Sequence, residues 1–153
     1  MVIETTKPTR VLDVLLVEDN HADAVLAFEA FKNLKMPVDL IRVSDGEEAL
    51  AYLKKENKYA EVRDPDLILL DLNMPKKGGL EVLKEIKNDP KLKEIPVLVL
   101  TSSQSEEDME NAYEFHANFY IVKPADFTGL CEAMKYLEEI WLPTLSQDSF
   151  EKS

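Results

Sequence analysis

Two rhythms of apolar and polar positions alternate along the chain. Short, mostly apolar runs recur at 11–17 (VLDVLLV), 38–43 (VDLIRV), 67–70 (LILL), 96–100 (PVLVL) and 118–122 (NFYIV). Runs of this length, rich in Val, Ile and Leu and flanked by Pro, Asn or Asp, predict strands. Between them, apolar residues return every three or four positions. Ala24, Ala27, Phe28, Phe31 and Leu34 predict a helix over 22–34, closed before Pro37. Asp45, with Glu48 three residues on, has the form of a capping box. It opens a second helix carrying Ala49, Leu50 and Leu53, and the polar stretch 54–64 predicts its frayed end and a loop. Gly78-Gly79 precedes a third helix marked by Val82, Leu83 and Ile86. Ser105 and Asp108 open a fourth through Met109, Ala112 and Tyr113. Leu130, Ala133, Met134, Leu137 and Ile140 trace a fifth. Strand and helix thus alternate five times. That order predicts an α/β domain, a doubly wound five-stranded parallel sheet with five helices on its two faces.

In such sheets ligands gather beyond the carboxyl ends of the strands, at the switch point of the topology. Glu18 and Asp19 follow the first strand, and Asp71 follows the third. Thr101 and Ser102 follow the fourth, and Lys123 and Pro124 the fifth. Three carboxylates, a hydroxyl and one lysine are therefore expected on one edge. Two carboxylates ~4 Å apart repel by about 4 kcal/mol at an effective dielectric near 20. One lysine cannot offset three such groups, whereas a hard divalent cation with oxygen ligands can. Magnesium characteristically takes one or two carboxylates, waters and substrate phosphate. Asp19 and Asp71, with the Asn73 backbone carbonyl, are the expected ligands. Glu18 is expected to hold a metal-bound water.

A carboxylate beside magnesium can attack a phosphoryl group and form an acyl phosphate. Such transfer depends mainly on positioning and charge neutralisation. Lys123 would meet the phosphoryl oxygens and Thr101 would donate a hydrogen bond to one. The turn Leu72-Asn73-Met74-Pro75 would aim Asp71. Asn73 stands where a phosphatase of this chemistry carries a second acid, and an amide cannot transfer a proton in that way. A long-lived mark suits a signal better than a turnover intermediate.

The bulk composition narrows the function further. Of 153 residues, 30 are acidic and 18 basic, and the net charge of −12 excludes a phosphate-neutralising nucleic-acid surface. The single cysteine, Cys131, excludes an intrachain disulfide and a cysteine-based zinc site. The first ten residues lack the apolar core of a signal peptide, and no apolar run is long enough to span a membrane. A cytoplasmic protein that meets protein partners, with neither nucleic acid nor membrane, is the expectation.

Four motifs, LLVEDN, LLDLNMPKKGG, VLTS and YIVKP, stand in the order and spacing of a known family. The chain resembles the receiver domain of two-component response regulators over most of its length. The resemblance implies a flavodoxin-like fold with strand order 2-1-3-4-5. It implies Asp71 as phospho-acceptor, Glu18 and Asp19 as the acidic pair, Thr101 as switch hydroxyl, Tyr120 as switch aromatic, Lys123 as the site lysine, and a cis Lys123–Pro124 bond. Glu18-Asp19 departs mildly from the commoner Asp-Asp pair. VEDNHAD, the long loop before the third strand and LEEIWLPTL further resemble the stand-alone response regulators of cyanobacterial phytochromes. A histidine kinase, and specifically a phytochrome kinase, is the partner so implied.

Residues 11–142 are then the receiver domain, between an arm (1–10) and a tail (143–153). No output domain is expected after the tail, so the signal would be read by a partner. Phosphorylation would draw Thr101 inward, let Tyr120 follow, and alter the surface of the fourth helix, fifth strand and fifth helix. Trp141, Leu142, Leu145 and Phe150 suggest a homodimer through that surface or a tail folded on the body. His21 and His116 read as ordinary surface histidines, although His21 lies close to the acidic pair. The alternatives are a magnesium-dependent aspartyl-phosphate hydrolase, a flavodoxin-like cofactor protein, and a receiver-like adaptor that works unphosphorylated.

Overall fold

The structure is a computed structural model, and it describes residues 11–74 and 77–140. The expectations that rest on Pro75, on the arm and on the apolar residues of the tail lie outside these residues, as does the side chain of Ile140. Five strands, β1 (Leu12–Val17), β2 (Val38–Val43), β3 (Leu67–Leu70), β4 (Val97–Thr101) and β5 (Phe119–Val122), alternate with five helices. These are α1 (His21–Lys32), α2 (Gly46–Leu53), α3 (Gly79–Asn88), α4 (Glu106–Glu114) and α5 (Phe127–Ile140). All strand pairs are parallel and the order is β2-β1-β3-β4-β5. The expected sheet is therefore observed.

Burial explains the two kinds of strand pattern. Every residue of β3 and β4 is buried, because helices cover both faces of the sheet centre. Such strands read as unbroken apolar runs. β2, at the edge, buries Leu40 and Val43 and leaves Asp39 and Ile41 exposed. One apolar layer joins the sheet to α2 and α3 through Leu50, Leu53, Val82, Leu83 and Ile86, and takes Ala112 from α4. The other joins it to α1 and α5 through Ala24, Ala27, Phe31, Met134 and Leu137.

The helix starts follow their caps. Asn20, Asp45 and Ser105 side chains each accept the N–H three residues on, from Asp23, Glu48 and Asp108. Such caps are typically worth ~1 kcal/mol each. Glu48 reaches back to the Ser44 N–H, one residue before the cap, at 2.9 Å. The loop predicted over 54–64 contains a 3-10 turn, Asn57–Tyr59. There Tyr59 packs on Tyr52 with ring centres 5.0 Å apart. α4 differs from its apolar spacing: Ala112 is its buried residue, whereas Met109 and Tyr113 face outward. The Lys123–Pro124 bond corrects another expectation. It is trans, like the other described peptide bonds, the form favoured before proline by about 0.5–1 kcal/mol.

Candidate functional site

Strand register builds the site. β1 and β2 run to one side of the sheet and β3 begins the other, so the switch point lies between β1 and β3. Val17 pairs with Leu70, and the Asp71 N–H donates to the Val17 carbonyl at 3.1 Å. Glu18 and Asp71 therefore leave adjacent strands side by side. Carboxylate oxygens of Glu18, Asp19 and Asp71 lie within 4.8 Å of one another. Across the sheet, Thr101 pairs with Val122, and the Lys123 N–H donates to the Thr101 carbonyl at 2.7 Å. This bond carries Lys123 past the end of β5 and over the carboxylates.

The Lys123 ammonium donates to Glu18 Oε1 at 2.8 Å and to Asp23 Oδ2 at 2.9 Å, and it lies 3.5 Å from Asp71 Oδ2. Burial works against its charge. The bonds to Glu18 and Asp23 and the charges of Asp71 and Glu18 outweigh that effect and push its pKa above the ordinary lysine value. Glu18 is affected the other way. Its burial, together with the Asp71 charge, pushes it up to about 7 against the pull of Lys123. A carboxylate so buried is not fully compensated by one ammonium.

Asn73 bridges Asp71 and Thr101. Its N–H donates to Asp71 Oδ1 at 3.2 Å, and its side-chain amide reaches Thr101 Oγ1 at 3.5 Å. Thr101 is fully buried, and its Oγ1 also accepts the Ser103 N–H at 3.3 Å. Tyr120 stands half-buried on β5, with its hydroxyl donating to the Ser103 carbonyl at 3.0 Å. Glu18, Asp19, Asp71, Asn73, Thr101 and Lys123 are thus brought to one edge. Tyr120 is joined to Thr101 through Ser103.

Two residues that the sequence reading passed over belong to the same constellation. Asp23, in the first turn of α1, bonds Lys123 more closely than Asp71 does. An acidic residue in the first turn of a helix is ordinary in itself, which hides a further role. Arg42, on β2, donates from Nε to the Glu18 carbonyl at 2.9 Å and from Nη2 to the Asp19 carbonyl at 3.1 Å. Its Nη1 lies 3.5 Å from His21 Nδ1. An arginine on an edge strand gives no local signal of this reach. The glycine at 79 is a matter of space. A Cβ there would lie 2.5 Å from the Leu72 Cα and closer still to the Asp71 carbonyl oxygen. α3 can begin against the segment that follows β3 because this residue has no side chain.

The donor set suits a hard divalent cation, being all oxygen and anionic, with one member reluctant to ionise without further positive charge. Comparison with known proteins places this geometry. Residues 14–135 match the response regulator receiver domain. The chain belongs to that family. Response regulator Rcp1 of Synechocystis sp. is 44% identical over 133 residues, which cover 87% of this chain and 90% of Rcp1. Among solved receiver structures, the phosphorylated cyanobacterial phytochrome response regulator RcpA is 50% identical with a TM-score of 0.84. That match covers 88% of this chain and 96% of RcpA. The Mn2+-bound form of Rcp1 follows at 44% identity and a TM-score of 0.80, covering 86% of this chain and 94% of that one. The receiver fold inferred from four motifs is therefore shown, as is the similarity to phytochrome response regulators. No helix among the described residues is long and apolar enough to cross a membrane.

Proposed function

We propose that this receiver accepts a phosphoryl group from a phytochrome-type histidine kinase onto Asp71. The observation that carries the reading is the convergence of Asp71 with Glu18, Asp19 and the Lys123 ammonium at the sheet's switch point. The names of its relatives RcpA and Rcp1 support the choice of kinase. Residues 11–142 act as one receiver unit, flanked by segments 1–10 and 143–153.

In the transfer, an Asp71 carboxylate oxygen attacks phosphorus and forms an O–P bond. The P–N bond to the kinase histidine breaks, and its electron pair returns to the imidazole nitrogen. Mg2+, when bound, supplies positive charge to the phosphoryl oxygens. Asp19, Asp71 and the Asn73 carbonyl would hold it, with Glu18 beside them. Lys123 neutralises the phosphoryl group from the β5 side. Asn73 holds the acceptor carboxylate by its N–H but offers no acid for rapid hydrolysis. The acyl phosphate is accordingly a signal, and turnover as a phosphatase is not expected.

The phosphoryl group adds about −1.5 to −2 charges and strong acceptor oxygens. Thr101 Oγ1 is drawn to them and gives up the Ser103 N–H. Tyr120, bonded to the Ser103 carbonyl, shifts with that loop. The altered α4–β5–α5 surface then changes its affinity for a partner or for a second copy, by a shift between two existing states. Met109 and Tyr113 on α4 and Tyr136 on α5 are large exposed groups suited to such a contact.

Intact mass after brief exposure to acetyl phosphate and Mg2+ tests the acceptor. A single phosphoryl gain is expected in the wild type, absent in Asp71→Asn and on chelation. No gain with several donors overturns the proposal and favours an adaptor that works unphosphorylated. Faster phosphotransfer from a phytochrome-type kinase than from other histidine kinases supports the named partner, and equal rates reject it. Sedimentation with and without phosphorylation tests self-association, which a monomer in both states would exclude.

A further inference from the structure

The transfer just described gives Asp23 no part, yet Asp23 makes one of the two short bonds to Lys123. An ammonium has three N–H donors. The bonds to Glu18 and Asp23, at 2.8 and 2.9 Å, lie in the charge-assisted range. The contact with Asp71, at 3.5 Å, lies beyond ordinary hydrogen-bond length. The ammonium is therefore displaced from the acceptor, toward the α1 side of the site.

Both ends of the Lys123–Asp23 bond are anchored independently of it. The Asp23 backbone N–H donates to the Asn20 cap at 2.9 Å. The Lys123 backbone N–H is tied to Thr101. What remains free to move is the ammonium, at the end of a four-carbon stem. A cavity of about 280 Å³ between α1 and the start of α5 is lined by both side chains. It gives the stem room to swing. The Asp23 side chain is 40% exposed, against 6% for Asp71. Asp23 thus holds the cation at the mouth of the site, whereas a phosphoryl group on Asp71 needs it inside.

Resting on Asp71 as the acceptor, we propose that Asp23 is a positioning residue which holds the Lys123 ammonium away from Asp71 and so restrains phosphorylation. A phosphoryl group arriving at Asp71 competes with Asp23 for the same three N–H donors. When it wins, Lys123 leaves Asp23 and turns inward. Asp23 sets how readily the acyl phosphate forms and takes no part in bond making or breaking.

Asp23→Asn keeps the shape and the capped backbone while removing the charge. Phosphorylation by acetyl phosphate with Mg2+ is expected to quicken by about threefold to tenfold, toward the lower end of the coupling common between contacting residues. Beryllofluoride, a phosphoryl analogue, is expected to bind more tightly by a similar factor. Asp23→Glu, which keeps the charge, should remain near the wild-type rate. In a Lys123→Met background, Asp23→Asn should have no effect on the slow residual rate. A rate unchanged or lowered by Asp23→Asn overturns the proposal. So does an equal gain in the Lys123→Met background, which would mean simple repulsion of the anionic donor. Failure of the wild type to gain a phosphoryl group would instead remove the acceptor assignment itself.

Discussion

Replacing Lys123 by methionine keeps an unbranched stem beside α1 and α5 and deletes the ammonium. At an effective dielectric near 20, its attraction to Glu18 at 2.8 Å is about 6 kcal/mol and to Asp71 at 3.5 Å about 5 kcal/mol. Desolvation cancels much of that gross attraction. Leaving buried charges without their partner generally costs about 3–5 kcal/mol net. The cost depends on pH because Glu18 can escape by taking a proton. Its folded pKa of about 7 stands above the ordinary 4.5, so the native state favours the protonated form. The resulting stabilisation is complete below about pH 4.5 and is lost as pH rises through 7. In the wild type with a chelator, stability should therefore fall by about 2 kcal/mol between pH 5.5 and pH 8. Without Lys123 the fall should be steeper. Lys123→Met should cost about 3 kcal/mol or more at pH 8 and about 1 kcal/mol less at pH 5.5, since one proton on Glu18 can shift stability by at most ~3.4 kcal/mol over this range. Mg2+ at 100 times its Kd should return about 2.7 kcal/mol, as any ligand of the native state does. Urea unfolding at both pH values, with chelator and with Mg2+, measures each quantity. Equal losses at the two pH values, or no recovery with Mg2+ at pH 8, would refute the electrostatic reasoning.

Three further outcomes follow from the same geometry. Gly79→Ala places a methyl group against the Leu72 Cα and the Asp71 carbonyl. It should cost about 1–3 kcal/mol in urea unfolding and slow the proposed phosphorylation, because relief must come from moving the segment that carries Asp71; an unaltered rate would show that segment to be compliant. Arg42→Ala removes both bonds to the Glu18 and Asp19 carbonyls. Mg2+ affinity by calorimetry should fall about tenfold, as for other residues that orient a metal's ligands, with Arg42→Lys only partly restoring it. Thr101→Ala should leave the mass gain at Asp71 in place but remove any phosphorylation-dependent partner binding or assembly. Retention of that dependence would place the coupling elsewhere.

The sheet was legible because its strands carry their environments in their sequence. LILL is continuous because β3 is buried on both faces, and VDLIRV is interrupted by Asp39 and Arg42 because β2 lies at an edge. Cap residues marked α2 and α4 for a similarly local reason. The candidate residues at the strand ends followed from topology, since parallel order brings all the carboxyl ends to one edge. What escaped the reading depends on contacts distant in the chain. Asp23 meets Lys123 across 100 positions and Arg42 meets Glu18 across 24. Neither distance has a periodicity to reveal it. Met109 and Tyr113 fit an inward helical spacing but face outward, because spacing defines a stripe without stating how much of it is covered.

The burial of the strands has a consequence for how motion is shared within the sheet. β3, which presents Asp71, has every residue buried, whereas all four residues of β5 are partly open to solvent. Backbone amides of the central strand should exchange with deuterium only when the whole sheet opens, and those of β5 in smaller excursions. With Asp71 as the proposed acceptor, the covalent change would then be received on the least yielding part of the molecule, where that residue's position is best maintained. The response would emerge at the border strand, where a small free energy suffices to redistribute conformations.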